Sequence, residues 1–338
     1  MIPARAAPRK KNRWSWRSKA FRSLLYQVLA VALLLAAGAY LLNNTLANMR
    51  LRGIQSGFDF ITQPAGFSIG ESIIPFDSAE SYGKAFLVGL SNTLRVAVVG
   101  IVLATLLGTL IGLGRLSRNF LVRALCGAYV EFFRNVPLLL QLFIWYFILT
   151  ETLPPIEEAL RPAANVFFSK NGLQFPIPLW EGGFAGWDLP EKTELNVVGG
   201  GSVTPEFLTV LFGLTIYTAA YIAEIVRGGI QAVPFGQHEA SAALGLSRRM
   251  EVRLVLLPQA LRVIIPPLTS QYLNLTKNSS LAVAVGYPDL VSISTTSLNQ
   301  TGRAIECITI IMACYLTLSL LTSWFMNAYN RRSLIKER

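Results

Sequence analysis

Few residues in this 338-residue chain could do chemistry, and they are scattered. His238 is the single histidine, which rules out a metal site built from clustered histidines; it reads as a solvated loop residue. Cys126, Cys307 and Cys314 are odd in number and lie in apolar or membrane-adjacent stretches, so they form neither a disulfide framework nor a metal-ligand spacing. The chain has no G-x-x-x-x-G-K-[ST] cradle for a nucleotide phosphate, and no G-x-S-x-G or H-E-x-x-H run. No catalytic residue, metal or cofactor is therefore assigned, and any ATP hydrolysis falls to another subunit. What remains are two acid–base pairs spaced i,i+3 within apolar runs, Glu131 with Arg134 and Glu224 with Arg227, and the polar quartet Lys277, Asn278, Ser279 and Ser280. Ionisable groups at membrane depth are costly, and their default role is functional or structural pairing inside a bundle. For Glu131 and Arg134 a place at a helix end near the headgroups stands as the alternative.

The elements that hold these residues are apolar. The chain is 52% hydrophobic and only 14% charged, against about a quarter charged in soluble proteins, so a membrane class is favoured. Eight Lys and Arg and no acid occupy residues 1–23, a basic arm. The apolar run 24–42 that follows is long enough to span a bilayer and longer than a signal-peptide core, so a retained helix is expected. Residues 43–85 are polar and read as an external loop. In 96–113, Gly100, Ala104, Gly108 and Gly112 recur every fourth residue, a stripe that lets another helix come close. A span is expected over 125–149. Residues 151–204 form an acidic insert rich in Pro and Gly, and Thr204-Pro205-Glu206 is a good helix start. Spans follow at 207–223, 254–275, with Pro258, Pro266 and Pro267 expected to kink it, and 307–328. The stretch 275–290 looks too short to span and is expected to fold back into the bundle. Six spans with the N-terminus inside place every basic cluster on the cytoplasmic side and both acidic loops outside. The same rule explains the basic arm without nucleic acid.

The segment 233–258, VPFGQHEASAALGLSRRMEVRLVLLP, lies between two apolar runs. Pro234 ends the incoming helix, the Ala-rich stretch after it favours a short helix, Gly245 stops that helix, and Ser247 can cap the next. A helix of ~12 Å at ~1.5 Å per residue is marginal alone in water, so its loops or a partner must hold it.

In order and spacing, Glu239, Ala240, Ser241, Gly245, Val255, Leu257 and Pro258 resemble the EAA loop of bacterial ABC-importer permeases, with Ser241 in place of the second Ala and Val255 in place of Ile. The segments VEFFRNVPLLLQLF (130–143), YIAEIVRGGIQAVP (221–234) and LTKNSSLA (275–282) resemble the histidine/glutamine branch of that family. The resemblance covers 84–149 and 206–338. The arm, first helix and insert depart from the short five-helix core and are similar to the enlarged permease of general L-amino-acid importers.

The resemblance implies an all-α membrane protein: an ABC-importer type I transmembrane domain of about six helices, a five-helix core plus an extra N-terminal helix. Its expected divisions are a basic cytoplasmic arm (1–23), the extra helix (24–42), a periplasmic loop (43–85), core helices (86–150), a periplasmic insert (151–204), core helices with a cytoplasmic coupling loop at 234–258 (205–328) and a basic tail (329–338). It implies a bacterial inner-membrane location with both termini cytoplasmic. The implied partners are an ABC ATPase dimer, a second permease (homologous or identical), a periplasmic amino-acid-binding protein and the bilayer. The coupling residues would be Glu239, Ala240, Ser241, Gly245, Leu257 and Pro258, and the substrates polar or acidic L-amino acids. An amino acid carries a carboxylate and an ammonium; Glu131, Arg134, Lys277, Asn278, Ser279 and Ser280 supply donors and acceptors for it. Alternatively these residues satisfy broken-helix backbone and pair with each other. A competing reading is a secondary transporter driven by an ion gradient, for which the repeated halves expected of that class are missing; another is a membrane-bound interaction protein.

Overall fold

The computed structural model describes residues 18–51, 53, 56–180, 184–193 and 196–333. The basic arm before residue 18, Glu181 and Glu194 of the insert, and Lys336 and Arg338 of the tail lie outside the described residues. The chain divides into two units, Met1–Ser56 and Gly57–Arg338. The first contains one helix, α1 (Lys19–Leu51), 33 residues long. It extends beyond 24–42 because the polar flank 43–51 continues the helical path; Asn48 donates to Asn44 Oδ1 at 3.4 Å, one turn back. Leu33, Leu34 and Leu35 are consecutive and all exposed, so the helix is apolar all round, which suits lipid.

The second unit is a helical bundle built on α2 (Tyr82–Arg115) and α5 (Pro205–Gln231). The small-residue stripe explains why these two pack so closely. A Cβ on Gly108 would stand 2.7 Å from Ile222 Cβ and 2.8 Å from the Ala219 carbonyl oxygen, and one on Gly112 2.7 Å from the Ala223 carbonyl oxygen. Thr204 caps α5 by accepting from the Phe207 N–H at 3.2 Å, with Pro205 in the first turn, as its sequence predicts.

The span expected over 125–149 is broken. α3 (Phe120–Asn135) and α4 (Leu138–Phe147, continued by a π turn, Ile148–Thr152) meet at 105°. Pro137 is the cause: it forces Val136 into an extended conformation (φ −92°, ψ 127°) and supplies no N–H. Gln141 compensates, donating to the Phe133 and Val136 carbonyls at 3.0 and 2.9 Å. Among the described residues five helices are long and apolar enough to cross a membrane, and counting this bent pair as one span gives six.

α6 (Phe235–Ala243) and α7 (Arg248–Glu251) follow α5. A π turn, Val252–Leu256, then leads into α8 (Leu257–Asn278), which runs through Pro266 and Pro267 without ending. The stretch 275–290 does not form a separate re-entrant piece. α8 tightens into a 3-10 turn, Ser279–Val285, closed by Gly286 at φ +79°. Asp289 then caps a helix the sequence reading missed, α9 (Leu290–Thr301), accepting from Ser292 N–H at 2.8 Å. Ser279 and Ser280 hydroxyls return to the Thr276 and Lys277 carbonyls, which draws the last turn together. α10 (Ala304–Ser333) completes the unit.

The insert folds as short antiparallel strands. β1 (Leu160–Ala163), β2 (Val166–Ser169), β3 (Gly172–Phe175) and β8 (Gly201–Val203) form one sheet in that order. β4 (Ile177–Trp180) pairs with β5 (Phe184–Asp188), and β6 (Glu191–Lys192) with β7 (Val197–Val198). Two-residue turns set the first hairpins; Asn165 lies in the first at φ 55°, and Gly172 opens β3 at φ +104°. β8 runs straight into the cap of α5, which roots the sheet in the bundle.

The external loop expected over 43–85 is more ordered than its polarity indicates. Phe60, Ala65, Phe67 and Phe76 build a second apolar core with Tyr82, Phe86, Leu290 and Cys307. Next to it, the Lys84 ammonium and the Asp77 N–H hold the Glu80 carboxyl below its usual range.

Candidate functional site

The α6–α7 hairpin is braced by its own side chains. At the end of α6, Leu246 N–H bonds to the Ser241 carbonyl at 3.1 Å and Gly245 N–H to the Ala242 carbonyl at 3.0 Å. This is a Schellman closure, and it requires Gly245 in the left-handed region, where its φ is +69°. Ser241 is buried, its hydroxyl donating to the Gln237 carbonyl at 2.7 Å. Gln259 of α8 donates to Gln237 Oε1 at 3.1 Å and ties the hairpin to the bundle.

His238 is not the solvated loop residue that the sequence predicts: its Nδ1 lies 2.5 Å from Glu251 Oε1, and Arg248 donates to the other Glu251 oxygen at 2.9 Å. Ser247 occupies the cap position of α7 without a side-chain cap bond. Against this frame Glu239 and Ala240 are exposed, and Phe235 and Leu244 are 73% and 78% exposed. The braced hairpin thus presents large apolar side chains at its surface. Leu257 and Pro258 lie apart from α6, at the start of α8, where Pro258 sits in the first turn and its missing donor costs least.

One step back along α5, Glu224 accepts from both Arg227 and Arg115, the last residue of α2. The i,i+3 pair seen in sequence is thus made, and a third charge joins it from another helix.

Glu131 and Arg134 behave differently. Among the described residues no hydrogen bond or ion pair joins them, or links either to Lys277, Asn278, Ser279 or Ser280. Arg134 instead lies over the Tyr221 ring of α5, 5.1 Å from its centroid. Glu131, Arg134 and Lys277 are exposed, Asn278 is half-buried, and the two serine hydroxyls serve the end of α8. The structure does not bring these six residues into one constellation.

A node at the opposite end of the bundle escaped sequence reading. Glu71, its side chain 8% exposed, accepts from Arg95 of α2 at 2.5 Å and from the Thr204 N–H and hydroxyl at 3.2 and 2.5 Å. Asn92 donates to the Glu71 and Pro288 carbonyls at 2.8 and 2.9 Å, and the Arg95 guanidinium stacks 4.1 Å from the Phe207 ring centroid. One carboxylate thereby joins the loop before α2, α2 itself, the insert and the start of α5. Among the described residues no group of His, Cys, Asp and Glu could hold a metal ion.

The spanning helices thus carry between them a braced hairpin with exposed apolar side chains at its surface. The chain belongs to the family of binding-protein-dependent transport system inner membrane components, whose model matches residues 100–334. It is a multi-pass inner-membrane permease component, and the ion-gradient reading gives way to this. The general L-amino acid transport system permease protein AapQ of Rhizobium johnstonii is 42% identical, with 96% of each chain covered. The glutamate/glutamine/aspartate/asparagine transport system permease protein BztB of Rhodobacter capsulatus is 37% identical over 94% of this chain and 95% of its own. Among solved structures, the crystal structure of an amino acid ABC transporter with histidines aligns with a TM-score of 0.55 and 27% identity, over 74% of this chain and 95% of that one.

Proposed function

We propose that this chain is the permease subunit of an ATP-driven importer of polar or acidic L-amino acids. In this reading α6 is the coupling helix, seated through exposed Glu239 and Ala240 in a groove of a separate ATPase dimer, with buried Ser241 and the Gly245 turn fixing its shape and Leu257 and Pro258 setting where α8 begins. The observation that carries it is the hairpin itself: buried bracing by Ser241 and Glu251 beneath exposed Phe235 and Leu244. A second permease, identical or homologous, completes the pathway, and a periplasmic binding protein delivers the solute. The amino-acid names of the two relatives support the substrate class.

Basic clusters around Arg118, Arg123, Arg248 and Arg253 support a topology with the hairpin and both termini in the cytoplasm and residues 43–85 and 151–204 outside. The extra helix at 24–42, the core at 86–150 and 205–328, the arm 1–23 and the tail 329–338 follow from the same topology. Glu131, Arg134, Lys277, Asn278, Ser279 and Ser280 are candidates for the solute pathway only after a second permease encloses the exposed ones. ATP closes the motor dimer, the coupling helices approach, and the cavity opens toward the loaded binding protein; hydrolysis resets it.

The test is purification in mild detergent followed by reconstitution. Co-elution with an ATP-binding subunit, and uptake of labelled glutamate or glutamine that requires both ATP and a binding protein, is the expected result. Uptake by the lone chain down an ion gradient would overturn the reading.

A further inference from the structure

Between α2, α5, α8 and α10 lies a cavity of about 460 Å³, apart from the Glu71 node. Its wall includes Leu261, Ile264, Ile265 and Leu268 of α8, Val226 of α5 and Phe325 of α10, and no Lys, Arg, Asp or Glu lines it. The Thr105 and Tyr272 hydroxyls that reach it are 2.9 Å apart and bonded to each other, and Thr105 also donates to the Ile101 carbonyl at 2.7 Å. An occupant gains free energy by bringing methylene groups and loses it by bringing polar atoms it cannot pair.

The cavity lies toward the hairpin end of the bundle. Leu113, two residues before Arg115, and Ile230 and Leu257, on either side of the hairpin, all line it. Arg253 precedes Leu257 by one turn, is exposed, and takes no part in the ion pairs found among the described residues. Trp324 and Tyr329, both exposed, stand at the same end of α10, as aromatics do at a headgroup boundary. An apolar slot among spanning helices, with an exposed guanidinium one turn before its lining residue Leu257, matches one ligand chemistry: an acyl chain attached to a phosphate.

We propose that this cavity binds one acyl chain of an anionic phospholipid, whose phosphate meets Arg253. The proposal needs only the membrane placement of the bundle and holds whichever solute the transporter carries.

The test uses the assembled transporter in nanodiscs, with phosphatidylglycerol or phosphatidylcholine carrying a diazirine on one acyl chain, and peptide mapping after photolysis. In the wild type, phosphatidylglycerol is expected to label the cavity walls of α8 and α10 about fivefold more than phosphatidylcholine, the factor one basic residue at a membrane surface provides. Arg253→Ala should bring the two lipids to parity. Leu261→Trp, which fills the slot, should remove cavity labelling by both while labelling around exposed Leu316 and Leu320 persists, a control for folding. Equal labelling by the two lipids in the wild type, an unchanged ratio in Arg253→Ala, or cavity walls that stay unlabelled because detergent or a segment of this chain fills them would each overturn it.

Discussion

Gly245 sits at φ +69°, and a Cβ built on it would meet nothing within 4 Å. The demand there is on the backbone alone. An L side chain in that conformation costs about 1–2 kcal/mol, with Asn the mildest replacement. Gly245→Val should therefore reduce ATP-dependent uptake strongly, Gly245→Asn should retain much more, and immunoblots should find both inserted in the membrane at wild-type levels. Gly108 poses the opposite problem, since the atoms facing it include the Ala219 carbonyl oxygen, which cannot move cheaply. Gly108→Ala is expected to lower stability by about 1–3 kcal/mol in thermal unfolding. Gly127→Ala, where nothing lies within 4 Å, should be neutral or slightly stabilising. The positions of Gly245 and of the stripe were legible because each carries a local rule: one residue type for one backbone state, or one spacing for one helix face. The His238–Glu251 contact was not legible, because 13 residues and a turn of unstated geometry separate the pair.

Among the elements, the Glu71 node has the widest reach. Glu71→Ala strands Arg95 beside Phe207 and frees the Thr204 cap, so a loss of about 3 kcal/mol is expected, as for a buried pair missing one partner. Differential scanning fluorimetry of the solubilised protein would measure this, and amide exchange would place the opening in 57–81 and at the start of α5. An unchanged transition would mean that the loop before α2 packs on its apolar core alone. Sequence pattern caught the long elements and missed those whose cause lies elsewhere in the chain. Runs such as 96–113 and 307–328 sit inside α2 and α10, but the helical ends beyond them depend on packing that no local window reveals. Pro137 was in plain view, yet the apolar run around it pointed to one span; the restriction on Val136 and the repair by Gln141 turned it into a bent pair. The strands of the insert were missed because each is two to five residues long, too short for alternation to stand out. The stretch 275–290 was misread because its polarity comes from a helix ending and another helix starting.

On the scale of the whole molecule, α5 connects two structures of opposite character. Its start is clamped through Thr204 to Glu71 and to the sheet of the insert, and its end leads into the braced hairpin. Twenty-seven residues at ~1.5 Å each make a rod of ~40 Å, cemented to α2 by the small-residue stripe and by the Arg115–Glu224 pair. α5 is an unbroken helix that joins the hairpin to the opposite end of the bundle. The account stands on α6 being the surface that a nucleotide-driven subunit grips. The most direct measurement places a photo-crosslinking residue at exposed Ala240 in the transporter within native membranes, and identifies the adduct with and without ATP. The account predicts a covalent product with the ATP-binding subunit whose yield changes when ATP is added. Capture of a protein from the outer side of the membrane instead, or no adduct with an ATP-binding subunit in either state, would contradict it.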